Sequence, residues 1–116
     1  MNRVAHWQMI TPDPEATSRF YAAMFAWSIE NHNAMGYREV TTGKPGIDGG
    51  IWPAAAGQPP MVQLFVSVPD VGAAVERAVA LGAKVLLPDS SLPDGDRIAI
   101  VLDPVGMSVG LCTLRD

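Results

Sequence analysis

Between residues 61 and 68 the chain alternates strictly. Val62, Leu64, Val66 and Val68 share one face, while Met61, Gln63, Phe65 and Ser67 share the other. A period of two predicts a strand whose aliphatic face packs against a helix. A matching strand is expected from about Arg3 to Ile10, with Ala5, Trp7 and Met9 on the corresponding face. Both strands run into an aspartate, in Asp13-Pro14-Glu15 and Asp70-Val71-Gly72. Aspartate accepts the main-chain N–H groups that a new helix leaves open, and proline suits the first helical position. The period then changes to helical. Ala16, Phe20 and Met24 form an apolar stripe in the first helix, and Val71, Ala74, Val75, Ala78 and Leu81 form one in the second. Gly82 is placed to end the second helix in a left-handed conformation. Ala26 stands at the equivalent point of the first, where that conformation costs about 1 kcal/mol relative to glycine.

Three short strands are expected after each helix. They fall near Trp27–His32, Tyr37–Thr42 and Gly50–Pro53, then near Lys84–Leu87, Arg97–Leu102 and Met107–Leu114. Asn33 to Gly36, Pro93-Asp94-Gly95 and Asp103-Pro104-Val105-Gly106 supply turns, the last with Pro and Gly where a type I turn favours them. The plan is βαβββ, twice. Sliding the chain by 57 residues supports this, since Pro12-Asp13 falls on Pro69-Asp70, Ala16 on Ala73, Ala23 on Ala80 and Gly49 on Gly106. Module one is expected over 1–53 and module two over 61–116. The uncharged, proline-containing stretch 54–60 reads as the link between them.

Composition narrows the picture. The chain has 116 residues, of which 48% are hydrophobic and 17% charged, enough for one packed domain. Its net charge is −4 and no segment concentrates Lys or Arg, which argues against a nucleic-acid partner. No apolar run approaches membrane-spanning length, and the N-terminus lacks a signal pattern, so a cytoplasmic location without membrane association is expected. The single cysteine excludes an intramolecular disulfide and a cysteine-rich zinc site.

Residues 6–27, HWQMITPDPEATSRFYAAMFAW, resemble the opening of vicinal oxygen chelate proteins, the glyoxalase, bleomycin-resistance and extradiol-dioxygenase superfamily. The resemblance rests on His6, on Asp13 seven residues later, on Phe20-Tyr21 and on Phe25-Ala26-Trp27. VSVPDVGAAVERAVALGAKVLLP and DGDRIAIVLDPVGMSVGL resemble the second module in the same way, so the likeness covers essentially the whole chain. It implies an α+β fold: two tandem βαβββ modules forming an eight-stranded, incompletely closed barrel with helices outside. It also implies a concave ligand face and a homodimer, for which the apolar segment Ile51-Trp52-Pro53-Ala54 reads as a contact.

The resemblance further implies four metal ligands, typically His and Glu, and a divalent ion that binds two neighbouring substrate oxygens. His6 stands at the first of these positions and Gln63 at the second module's counterpart. Gly110 falls where a glutamate is expected, and the Trp52-Pro53 region, where the other is expected, lacks a donor. One imidazole and one amide do not displace the water shell of a divalent ion. No cofactor is therefore expected, and a divalent metal survives only as the alternative.

Strand alternation leaves the remaining side chains for a ligand pocket: His6, Gln8, Tyr37, Trp52, Gln63, Phe65, Ser108 and Cys112. Tyr37, Glu39 and Thr41 lie on a strand that could face either way. His6 is the weak catalytic candidate, as a residue that titrates near neutrality. Its bland reading is a hydrogen-bonded inherited histidine. Gln8 and Gln63 read equally as bonded to each other or to water, Trp7 and Trp27 as core, and Cys112 as a small apolar residue. The preferred reading is a glyoxalase-like protein that binds a small organic molecule without a complete metal site. The alternatives are a metal-dependent lyase, isomerase or dioxygenase with an atypical site, drug sequestration of the bleomycin-resistance type, and a module whose concave face is vestigial.

Overall fold

The computed structural model describes residues 2–30 and 37–113. Eight strands and two helices follow the order β1 (Val4–Thr11), α1 (Pro14–Phe25), β2 (Ser28–Glu30), β3 (Arg38–Thr41), β4 (Gly49–Pro53), β5 (Met61–Ser67), α2 (Val71–Ala80), β6 (Lys84–Ser91), β7 (Arg97–Leu102) and β8 (Ser108–Cys112). The α+β class and the doubled βαβββ order are as expected. The turn over Asn33 to Gly36, and the strand ends at His32 and Leu114, lie outside the described residues. No helix among the described residues is long and apolar enough to cross a membrane.

The chain forms two compact units, one of residues 6–63 and the other of residues 1–5 with 64–116. In the first, the strands run in the order β2-β3-β4-β1; in the second, β5-β8-β7-β6. The two units repeat one another's pairing: β1 with β4 and β5 with β8 are parallel, and the outer pairs are antiparallel. Parallel neighbours need a long crossover, which the helix and the two intervening strands supply.

The helix starts are as the sequence indicates. Asp13 and Asp70 each accept a main-chain N–H through Oδ1, from Ala16 and Ala73 respectively, both at 3.0 Å. Ala26 takes the left-handed conformation (φ 59°), closing α1 with a bond from its N–H to Ala22 O. Gly82 does the same work after α2 at φ 101°. At the last turn Asp103 Oδ1 accepts from the N–H groups of Val105, Gly106 and Met107. These bonds, the one from Met107 foremost, hold its carboxyl below the usual carboxylate range.

The two helices turn equivalent positions inward, but those positions are apolar in α2 and largely polar in α1. Under α2 lies an apolar core of Val68, Val71, Ala99, Val101 and Leu111, with Ala74, Val75 and Ala78 packed on it. Shifting by 57 residues maps the helix positions 71, 74, 75 and 78 onto Pro14, Thr17, Ser18 and Tyr21, and these are the less exposed residues of α1. The Thr17 hydroxyl shares a hydrogen bond of 2.9 Å with Thr11, and Ser18 donates to Pro14 O while accepting from Arg38. The guanidinium of Arg38 also bridges to Glu15 at 3.1 Å. The stripe of Ala16, Phe20 and Met24 therefore points away from the sheet, with Phe20 59% and Met24 62% exposed.

Two further expectations are corrected. On β5 the aliphatic face was expected under a helix, yet Val62 and Leu64 are 60% and 48% exposed while Gln63 and Phe65 are each only 3% exposed. The helix covers only the far end of that face, at Val68. And Ile51 is 1% exposed, so it cannot offer the surface contact expected of the 51–54 segment.

Candidate functional site

Register fixes which side chains share a face. Residues paired across strands point the same way, and alternate residues along a strand do too. Gln8 pairs with Gly50, Ile10 with Trp52, and Glu39 with Gly50. One face of the first unit thus carries His6, Gln8 and Ile10 from β1, Gly50 and Trp52 from β4, and Tyr37 and Glu39 at β3. The opposite face, toward α1, carries Trp7, Met9, Arg38, Val40 and Ile51. The orientation of the Tyr37 strand, open from sequence, is settled by its partner Gly50.

Gly50 is small for a reason. A Cβ there would lie 2.4 Å from Cε2 of Tyr37, so the phenol lies across the bare backbone. Tyr37 in turn stacks on Trp52, with ring centroids 4.7 Å apart and planes tilted by 41°. The indole Nε1 of Trp52 is buried with no hydrogen-bond partner among the described residues, an unmet donor that normally finds an acceptor when buried. Burial, and secondarily the charge on Glu39, push the Tyr37 phenol up from its usual range. Glu39, weighed only as uncertain from sequence, thus joins the site. The signal that could have found it is the glycine pair Gly49-Gly50, which marks where a neighbouring side chain crosses the backbone.

His6 is two-thirds buried, and that burial lowers its pKa; Asp48, by its charge and by a hydrogen bond from the imidazole to its main chain, pulls weakly the other way. The imidazole is neutral at pH 7. Because the folded-state pKa lies below the unfolded value of about 6.5, the unfolded chain binds the proton more readily. Stability is then full above pH 6.5 and falls as the pH drops from there through the lowered pKa, below which the loss is constant. Urea unfolding at pH 5 and pH 8 is expected to show the wild type losing more stability at pH 5 than a His6→Gln variant does. Equal losses would mean that the imidazole is not held neutral.

Gln63 is buried in the same unit. The other three proposed residues belong to the second unit and share one face of it by register with Gly110. Phe65 lies flat on Gly110, where an added Cβ would meet its ring at 2.3 Å. Cys112, half-buried, directs its thiol at Val66 O at 3.7 Å, and burial raises its pKa, with a smaller push from Asp96. A raised pKa makes it a poor nucleophile. Ser108 is partly buried.

The metal implied by the resemblance can be tested on these donors. Among the described residues no three His, Cys, Asp or Glu side chains converge. At Gly110 the Phe65 ring fills the space a carboxylate would need, and Trp52 presents a ring to Tyr37. The residues present do not fit a chelated divalent ion, so no chemical step is derived through one.

Fold and site together define a protein of the glyoxalase type. The family described as "Glyoxalase-like domain" matches residues 6–112, and the chain belongs to that family. It is 30% identical over 109 residues to the "Putative glyoxylase CFP32" of Mycobacterium bovis and of Mycobacterium tuberculosis, covering 87% of this chain and 41% of each relative. The chain thus spans about two fifths of the length of the curated relatives it matches. Among solved structures it is similar to a glyoxalase/bleomycin resistance protein/dioxygenase superfamily member from Vibrio splendidus, with a TM-score of 0.68, 16% identity and coverage of 98% and 100% of the two chains. It is also similar to a variant of Streptomyces coelicolor methylmalonyl-CoA epimerase in complex with 2-nitronate-propionyl-CoA, with a TM-score of 0.65, 20% identity and 98% of each chain covered.

Proposed function

We propose that the chain binds a small organic molecule on the face carrying His6, Gln8, Tyr37, Trp52 and Gln63, without a chelated metal, and that it works as a pair of identical chains. The observation that carries this reading is the Tyr37–Trp52 ring pair, set over Gly50 and holding a buried indole N–H that has no acceptor among the described residues. Two rings offer a planar or apolar body something to stack on, and the N–H, the amides and a neutral imidazole offer directional bonds. Phe65, Ser108 and Cys112 are retained as further candidates. The epimerase neighbour, bound to a coenzyme A ester analogue, supports a ligand of the small acyl ester class. A second reading is favoured by the neutral state of His6: metal-free proton transfer, with Glu39 on the same face.

The test combines elemental analysis of the purified chain with thermal unfolding against a panel of small carbonyl compounds and acyl-CoA esters. A genuine ligand at roughly 100 times its dissociation constant adds about 2.7 kcal/mol of stability. The shift is expected to shrink in Tyr37→Ala and Trp52→Ala and to persist in Val105→Ala, whose side chain is on the surface. Near one equivalent of tightly held divalent metal, lost in His6→Ala, would overturn the metal-free reading. Turnover of a ligand in wild type but not in His6→Gln or Glu39→Gln would select the second reading.

A further inference from the structure

Two buried donors of the first unit have no hydrogen-bond partner among the described residues, Arg38 Nε and the indole Nε1 of Trp52. They lie on opposite faces of one sheet. The Arg38 guanidinium already donates to Ser18 and Glu15 on the helix side. Trp52 lies on the other face, where its cross-strand neighbour is Ile10, an apolar side chain that offers no acceptor. A buried N–H left without an acceptor is costly, and in native proteins such donors are met by a water or by a ligand.

The charge of this face narrows what can meet the indole. No Lys or Arg stands among His6, Gln8, Ile10, Tyr37, Glu39 and Trp52, and burial keeps the imidazole of His6 neutral at pH 7. The formal charge among them is the Glu39 carboxylate, close enough to Tyr37 to push its phenol upward. An anion brought here would lose water beside a carboxylate and meet no cation. A carbonyl oxygen has neither problem. It accepts without a charge, and unlike a hydroxyl it adds no donor that would itself need an acceptor. Conjugation flattens the body around it, and a flat body is what lies well against the Tyr37 and Trp52 rings.

We propose that the indole N–H of Trp52 selects the ligand of this face: it donates to the carbonyl oxygen of an uncharged, conjugated carbonyl compound, and the face turns away anions of the same shape. This selection rests on the binding face proposed above and names the group that the face reads. Of a larger ester, the acyl carbonyl and its flat substituent are the part that lies here. Tyr37 supplies a ring, whereas Trp52 supplies both a ring and a donor. Replacing the indole by a phenyl ring therefore separates stacking from hydrogen bonding.

Acetophenone, ethylbenzene and benzoate share a ring and differ in the group it carries: a carbonyl, a methylene and a carboxylate. Each is titrated into the isotope-labelled full chain, whose indole N–H resonances are followed by NMR; the Trp52 resonance is the one lost in Trp52→Phe. Acetophenone is expected to bind about fivefold more tightly than ethylbenzene, the effect of one net hydrogen bond. It should move the Trp52 indole proton downfield and leave those of Trp7 and Trp27 in place. In Trp52→Phe, with circular dichroism like that of the wild type, the two compounds should bind equally. Benzoate should be the weakest of the three and should gain in Glu39→Gln. If Trp52→Phe does not fold, the indole shift in the wild type decides alone, its resonance assigned through the sequence. A Trp52 resonance that acetophenone does not move, an acetophenone advantage that persists in Trp52→Phe, or benzoate binding as tightly as acetophenone overturns the inference and leaves the binding reading standing. Failure of these probes and of the whole panel above overturns both.

Discussion

Replacing Gly110 by alanine is expected to cost about 3 kcal/mol of folding stability, at the upper end of what overpacking a tight interior usually costs. The reason is local and geometric. A methyl at this position would sit 2.3 Å from two carbons of the Phe65 ring, which is itself 3% exposed and has no room to withdraw. The strands on which the two residues lie are paired directly, Phe65 with Gly110, so neither backbone can yield alone. Urea unfolding measures the loss. Gly110→Ala combined with Phe65→Leu should cost less than the sum of the two single changes, because the shorter side chain makes room for the methyl. A Gly110→Ala protein within about 0.5 kcal/mol of wild type, the range usual for surface changes, would mean that the ring does not fill this space. The same crowding means that Gly110→Glu should damage the fold rather than complete a metal site, and elemental analysis of whatever folds should find no gain in bound metal.

Gly49→Ala is expected to be comparably severe, at about 3 kcal/mol, for a related reason. Its Cβ would fall within 2.4 Å of three atoms of the Trp7 indole. That indole is fixed at both ends, donating from Nε1 to Ile47 O at 2.8 Å and lying 5.6 Å from the Trp27 ring. The neighbouring change, Gly50→Ala, should differ in kind. Tyr37 can shift its phenol away from the methyl, so the structure should survive, but the ring pair with Trp52 should be disturbed and ligand-induced stabilisation diminished. Thermal unfolding of the two variants, with and without ligand, separates the outcomes. Equal and mild destabilisation by both would show that Trp7 is not pinned.

The comparison of these adjacent glycines shows what was legible in the sequence and what was not. Helix starts and stops depend on one or two residues acting on their own backbone, so Asp13, Asp70, Gly82 and the strained Ala26 could be read directly. So could the period-two alternation of β5. Burial could not, because it depends on what lies above each face. Val62 and Leu64 look as apolar as Val66 and Val68, but α2 reaches only the last of them. In α1 the pattern was misleading for a definite reason: Thr17 and Ser18 found hydroxyl and guanidinium partners across the sheet, and that turned the apolar stripe outward. The strand expected to end at Leu87 runs on to Ser91. It does so through Pro88, with register shifts on either side of Leu87, because it pairs with only one neighbour within its unit and a missing N–H costs little on an edge. In the candidate site, the identity of His6 and Gln63 was plain, but the partnership of Tyr37, Glu39 and Trp52 required the register of β3 on β4.

The polar seating of α1 also sets the order in which the molecule loosens. Its first turns rest on hydroxyl contacts and an ion pair open to water, while its last turn is clasped by Tyr21, Phe25 and Trp27, whose rings lie 5 to 6 Å apart. The second helix sits on aliphatic core throughout. Amide protons near the start of α1 should therefore exchange with deuterium through local opening, while those of α2 wait for opening of the whole unit.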